Sequence, residues 1–239
     1  MSIPIRFCRK DQTPPAIEEA CKKTADLLRR GMLEDFCDML LISARWKKET
    51  LQRELAGWKQ EFLKRSGRQE LADLVEESFL SCQHDNEIGM LRGALMEAII
   101  IACYGGASIL ADQEGYGWGT TITFYDEPNK STTLYYECNF AGTVYDGECG
   151  NRSTVDFVHW DGVKGEFFEC KVRPSGIGCK EIKYLQKLKG ALKRRDISYA
   201  LYFACAESEI EIKIQFLNLD IEDEFLPFGI EQIRLRLPA

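Results

Sequence analysis

The sequence predicts a chain of the α+β or α/β class, with a mixed sheet preceded by a helical N-terminal subdomain. Three observations carry this. Residues 16–81 repeat apolar side chains at helical spacings, as in Leu51, Leu55, Trp58 and Phe62. Residues 120–206 contain short β-branched and aromatic runs set off by turn residues. Between them, residues 87–104 form a helix that is apolar nearly all round, the mark of a buried helix. The expected division is a helical subdomain over 1–86 and a second domain over 87–239, parted at the polar stretch 82–87.

Taken in order, residues 1–12 read as a short strand or arm. Pro14 and Pro15 open a first helix, with Glu18 and Glu19 at its positive end. Gly31 ends it, a second helix follows through Leu33–Leu41, a third runs over 49–65 and a fourth over 68–81. The helix at 87–104 carries Glu97 as its only charge after Arg92. An isolated buried carboxylate costs about several kcal/mol unless it is paired, protonated or bound to a cation. Glu97 therefore either pairs with a lysine at the rim or joins an acidic site. Residues 107–119, with GYGWG, read as a glycine-rich loop that lacks the phosphate-cradling patterns. Strands at 120–125 and 132–138 form a hairpin, and 142–150 is a loop or irregular edge strand.

Residues 154–173 form the central hairpin. Asp156 lies in its first strand, Glu169 and Lys171 in its second. A loop at Asp161-Gly162 sets Asp156 one diagonal step from Glu169, and a loop at Gly162-Val163 sets the two directly opposite. Either register gathers both acids and the lysine on one face, whereas a one-residue slip separates them. His159 has the opposite parity and faces away. A helix over 179–195 follows, with Lys180, Lys183, Lys187 and Arg194 on its polar side. Residues 171–195 hold nine basic residues and a single acid, Glu181. Then come a buried strand at 198–206, a half-exposed strand at 210–219, an acidic turn region at 221–229, and a last strand or short helix at 230–237.

Composition sets bounds. An apolar fraction of 45% over 239 residues supports a packed core, and a net charge of −7 counts against a freestanding nonspecific nucleic-acid binder. Ten cysteines include no CxxC pair, and Cys138, Cys149, Cys170 and Cys179 match no common zinc spacing. The absence of a hydrophobic leader and of any apolar run near ~20 residues gives the expectation of a cytoplasmic protein without a membrane span.

The order helix, strands, acidic hairpin, basic helix, strand over residues 87–206 resembles the PD-(D/E)xK nuclease superfamily. Its restriction-endonuclease-like fold has an αβββαβ core. The matching residues are Asp156 and the triplet Glu169-Cys170-Lys171, with Glu97 placed as the glutamate many members carry on the first core helix. Val155 stands where the motif has proline. Lys183, Gln186 and Lys187 are candidates for the polar residue on the helix after the triplet. The resemblance implies a metal-dependent nuclease, most readily a DNA endonuclease of a restriction or anti-phage defence system, sometimes working as a homodimer. Asp156, Glu169 and Glu97 would ligate Mg²⁺, with Mn²⁺ substituting. Lys171 would orient or deprotonate a water or stabilise charge on the phosphate. Lys180, Lys183, Lys187 and Arg194 would hold the nucleic acid, DNA rather than RNA. The N-terminal helices would position DNA or bind a protein partner. The alternative is a non-catalytic assembly subunit that keeps the fold.

Overall fold

The computed structural model describes residues 5–127, 130–138 and 150–238. The described residues form an α/β fold with a mixed seven-stranded sheet between helical layers. A short strand, β1 (Ile5–Arg9), is followed by four helices: α1 (Pro15–Leu27), α2 (Leu33–Ile42), α3 (Leu51–Phe62) and α4 (Gln69–Ser81). Then come α5 (Asp85–Cys103), β2 (Tyr116–Glu127), β3 (Lys130–Thr133), β4 (Val155–Trp160) and β5 (Lys164–Lys171). The chain continues through α6 (Cys179–Lys193), β6 (Ser198–Cys205), α7 (Glu209–Leu219), β7 (Leu226–Phe228) and α8 (Ile230–Arg236). The strand order is β1-β2-β4-β5-β6-β7, with β3 paired to β2. Pairing is antiparallel from β1 to β5 and parallel from β5 to β7.

Each face of the sheet carries its own core. On one face α1–α5 and α8 bury Leu40, Leu55, Val75, Leu95 and Ile99 against Phe157 and Phe168. On the other, α6 and α7 bury Tyr184, Leu188, Leu192 and Phe216 against Val158, Phe167 and Phe203. The apolar core runs without a break from α1–α4 through α5 to the sheet, across the stretch 82–87. β1, at the head of the helical segment, is itself a strand of the sheet, pairing Ile5 with Phe124 and Arg9 with Thr120.

Three sequence expectations are corrected. The glycine-rich stretch ends in strand: β2 starts at Tyr116 and pairs with β4 from Tyr116↔His159. Gly117 serves close packing, because a Cβ there would lie 2.9 Å from that of Phe7 on β1. Gly119, at φ +54°, is where β2 changes face: Trp118 joins the core under α5, Ile122 and Phe124 the opposite one. The strand expected at 132–138 is shorter, since β3 stops at Thr133 and, among the described residues, one isolated bridge, Tyr136↔Arg152, follows. The strand expected at 210–219 is a helix, α7, and the turn region after it contains β7. The segment 142–149, read as loop or edge strand, lies outside the described residues.

Candidate active site

The site begins where the central hairpin opens. Its register is Phe157↔Phe168 through Trp160↔Gly165, and Asp161 N–H bonds the Lys164 carbonyl across the turn. Gly162 and Val163 are thus the two loop residues, and Gly162 sits at φ +94°, as the first position of a type II′ turn requires. This is the register that sets Asp156 directly opposite Glu169. Antiparallel strands alternate bonded and non-bonded pairs, so beyond Phe157↔Phe168 the next bonded pair would be Val155 with Cys170. There the ladder stops. Cys170 N–H donates instead to Asp156 Oδ2 at 2.7 Å. The Asp156 carboxylate takes over a main-chain bond where the strands part, and this fixes its position beside Glu169.

Both acids are buried, Glu169 completely. Among the described residues three of the four buried charged side chains, Asp156, Glu169 and Glu181, fall at this point. Lys171 Nζ donates to Glu169 Oε1 at 3.0 Å and to Glu181 Oε1 at 2.9 Å. Arg152 donates from Nη2 to Asp156 Oδ1 at 2.8 Å and to Glu169 Oε2 at 2.7 Å, with Nε bonded to the Thr154 carbonyl. The two facing oxygens are no farther apart than those two distances laid end to end. That is well inside the ~8 Å beyond which they could not share one ion with oxygen bonds of about 2.0–2.6 Å.

Glu97 comes from α5, in the other layer. Its carboxylate accepts the indole N–H of Trp118. It lines a cleft of about 530 Å³ together with Asp156, Lys171, Gly93, Arg92 and Arg173. Gly93 meets nothing within 4 Å of an added Cβ, so its role is open space in the cleft wall, not close contact with the sheet.

The electrostatics are those of a carboxylate cluster with too few cations. Burial pushes Glu97 up to about 8, with Asp156 adding to it. Burial also pushes Glu169 up to about 8, against the pull of Arg152 and with Asp156 reinforcing it. Burial opposes the charges on Lys171 and Arg152, yet Glu169, Asp156 and Glu181 outweigh it and raise both. Lys171 is therefore held as an ammonium.

The structure brings Asp156, Glu169 and Lys171 into contact and sets Glu97 on the same cleft. It gathers no group of three or more His, Cys, Asp or Glu close enough to hold a metal ion, among the described residues. Arg152 lies between the two paired acids and Glu97 is turned to Trp118. The donor chemistry nevertheless suits a hard divalent cation: oxygen ligands, paired, buried, and already facing a positive nitrogen.

The basic stripe of α6 runs away from the site. Lys180 Nζ lies 3.9 Å from the Glu181 Oε1 that holds Lys171, but none of Lys180, Lys183, Lys187 and Arg194 lines the cleft, and Arg194 lies roughly 20 Å along the helix axis from Glu181, at about 1.5 Å per residue. Gln186 bonds Glu224. The cationic rim is Arg92 and Arg173, from α5 and the loop after β5. His159 faces away, stacked on Tyr116 and bonded to Glu166.

Sequence reasoning missed Arg152 and the role of Glu181. Glu181 had a signal: it is the lone acid in a basic run, at the first turn of a helix, where a carboxylate is favoured. Arg152 had none, since only the fold brings it back over both acids.

No family model matches the chain and no curated protein matches it. Among solved structures it is similar to protein VC1899 from Vibrio cholerae, at a TM-score of 0.43 and 10% identity, over 97% of this chain and 56% of that one. The chain thus spans about half the length of VC1899. No described helix is long and apolar enough to cross a membrane.

Proposed function

We propose that this protein is a Mg²⁺- or Mn²⁺-dependent nuclease of the PD-(D/E)xK type, cleaving phosphodiester bonds in DNA as an endonuclease. One observation carries the reading: Asp156 and Glu169 face each other where β4 and β5 part, both bonded to a single cationic nitrogen, with Lys171 two residues on at the same cleft. The order α5, β2–β3–β4–β5, α6, β6 with a parallel β5/β6 pair supports this reading, with one strand more between the two helices than the αβββαβ core has.

Asp156 and Glu169 would hold the ion, with Glu97 on the opposite cleft wall as the further carboxylate. Held there, such an ion would supply Lewis-acid polarisation of the phosphodiester and a lowered pKa for a bound water. The rest falls to the chain. Lys171, held charged by Glu169 and Glu181, stabilises negative charge growing on the phosphate and does not serve as the base. Arg92 and Arg173 draw the phosphate backbone to the rim. The layers packed on both faces of the sheet keep the buried acids from bulk water.

The competing reading is a non-catalytic assembly subunit. It draws on α7, whose Ile210, Ile214 and Leu217 share one exposed face. A nicking assay decides between the two. Wild type with Mg²⁺ or Mn²⁺ should convert supercoiled plasmid to open circles, and Lys171→Ala should not, with its circular dichroism unchanged. A wild-type protein inert on DNA and RNA with either ion would leave the assembly reading.

A further inference from the structure

We infer that Arg152 is a built-in counter-cation, and that a divalent ion enters the site only by displacing its guanidinium from Asp156 and Glu169. This rests on the reading that those two residues form the metal site.

All four carboxylate oxygens of the pair already accept a hydrogen bond from the chain. Asp156 Oδ2 takes the Cys170 N–H and Asp156 Oδ1 takes Arg152. Glu169 Oε2 takes Arg152 and Glu169 Oε1 takes Lys171. Each oxygen keeps a second lone pair, so a hydrogen bond does not by itself bar an ion. The position between Asp156 Oδ1 and Glu169 Oε2, where an ion shared by the two acids would sit, is held by Arg152 Nη2. The Cys170 N–H belongs to strand β5 and cannot leave without opening the sheet. Withdrawal of Lys171 would free an oxygen on Glu169 alone. Only the departure of Arg152 frees an oxygen on both, and those two oxygens face one another across the nitrogen that leaves.

Two further features fit this role. The side chain of Arg152 is only 15% exposed, so its charge serves the buried acids and not solvent. Its Nη1 is 3.8 Å from Glu181 Oε1, which offers the displaced guanidinium a second carboxylate nearby. Like charges repel strongly in a partly dry site, so guanidinium and ion exclude each other. In the ion-free protein Arg152 thus keeps two adjacent carboxylates from forcing the strands apart.

The test is Mn²⁺ binding, measured by the electron paramagnetic resonance of free Mn²⁺, on wild type, Arg152→Gln and Arg152→Lys. Arg152→Gln should bind Mn²⁺ about tenfold or more tightly than wild type, a shift of ~1.4 kcal/mol. Arg152→Lys, whose single ammonium reaches the pair less well, should fall between. Mn²⁺ should also raise the melting temperature of Arg152→Gln by more than that of wild type. Equal or weaker binding by Arg152→Gln, with wild type binding normally, overturns the inference and leaves the metal reading standing. If neither protein binds millimolar Mn²⁺, the metal reading fails and this inference with it. Should Arg152→Gln not fold without metal, Arg152→Lys decides: binding no tighter than wild type overturns the inference.

Discussion

Glu181, at the start of α6, holds the ammonium of Lys171 at 2.9 Å, and Glu169 holds the same nitrogen at 3.0 Å. The lysine is clamped between two buried carboxylates, one from the sheet and one from the helix that crosses it. Its charge is therefore a fixed feature of the site. Glu181→Gln removes one clamp and leaves Glu169. We expect nicking to slow roughly tenfold, about 1.4 kcal/mol in activation free energy, with folding intact. Wild-type turnover in Glu181→Gln would mean that Glu169 alone positions Lys171.

Glu97 gives a pH prediction. Burial raises its carboxyl to about 8. A carboxyl whose folded pKa lies above its unfolded value contributes stability that is fully present below about 4.5 and lost as pH rises through 8. The ion-free protein should therefore lose stability between pH 4.5 and 8. Glu97→Gln, which keeps an oxygen to accept the Trp118 N–H, should flatten that loss and be more stable than wild type at pH 8 by on the order of 2 kcal/mol. Urea midpoints at pH 4.5, 6 and 8 measure it. Binding a cation to such carboxyls releases protons, so Mn²⁺ affinity should rise over the same interval. Parallel pH curves for the two proteins would refute the assignment.

The central hairpin was legible because side-chain parity in strands is rigid. Once Asp161–Lys164 is a turn with two loop residues, Asp156 and Glu169 can only share a face. Glu97 was legible as a charge on a helix with no polar side. The failures have equally local causes. Ile210, Ile212, Ile214 and Phe216 alternate like a strand, but in α7 Ile212 and Phe216, four apart, turn inward while Ile210 and Ile214 point out. Ser208 and Glu211 in Ser-x-x-Glu spacing mark a helix start, and Ser208 does accept the Glu211 N–H. The glycines of GYGWG suggested a loop, yet Gly117 is in strand β2, where it makes room for Phe7 of β1. No local pattern could announce Arg152.

A second carboxylate, far from the cleft, anchors the C-terminal helix. Glu166 on β5 accepts from Arg236 Nη2 at 2.9 Å and from Tyr104 at 2.8 Å, and also meets His159 and Tyr202. Burial works against its charge, but Arg236 and Tyr104 outweigh it and hold the carboxyl down at about 2. A depressed carboxyl contributes stability that is present above about 4.5 and lost as pH falls toward 2. The contribution is ~2–3 kcal/mol. Glu166→Gln should lower the urea midpoint at pH 7 and narrow the gap from wild type near pH 2. A gap independent of pH would assign the loss to packing instead.

Arg92 and Arg173 set the last prediction, because two rival surfaces could hold the nucleic acid. The sequence pointed to Lys180, Lys183, Lys187 and Arg194 on α6. The cleft that contains Asp156 and Lys171 is rimmed by Arg92 and Arg173. Arg92 bonds only a main-chain carbonyl, that of Ser43, among the hydrogen bonds described for it. Burial lowers its pKa and the neighbouring charge of Arg173 lowers it further, so an anion between the two guanidinium groups relieves their repulsion. Arg173 also bonds the Leu41 carbonyl and lies 3.5 Å from Glu207. Phosphate binding should therefore depend on this pair. In fluorescence anisotropy with a labelled DNA duplex and Ca²⁺ in place of Mg²⁺, Arg92→Gln and Arg173→Gln should each weaken binding and reduce the slope of log K against log salt by about 1. Lys183→Gln and Lys187→Gln should leave both nearly unchanged. The reverse pattern would move the nucleic acid from the cleft rim to the outer side of α6.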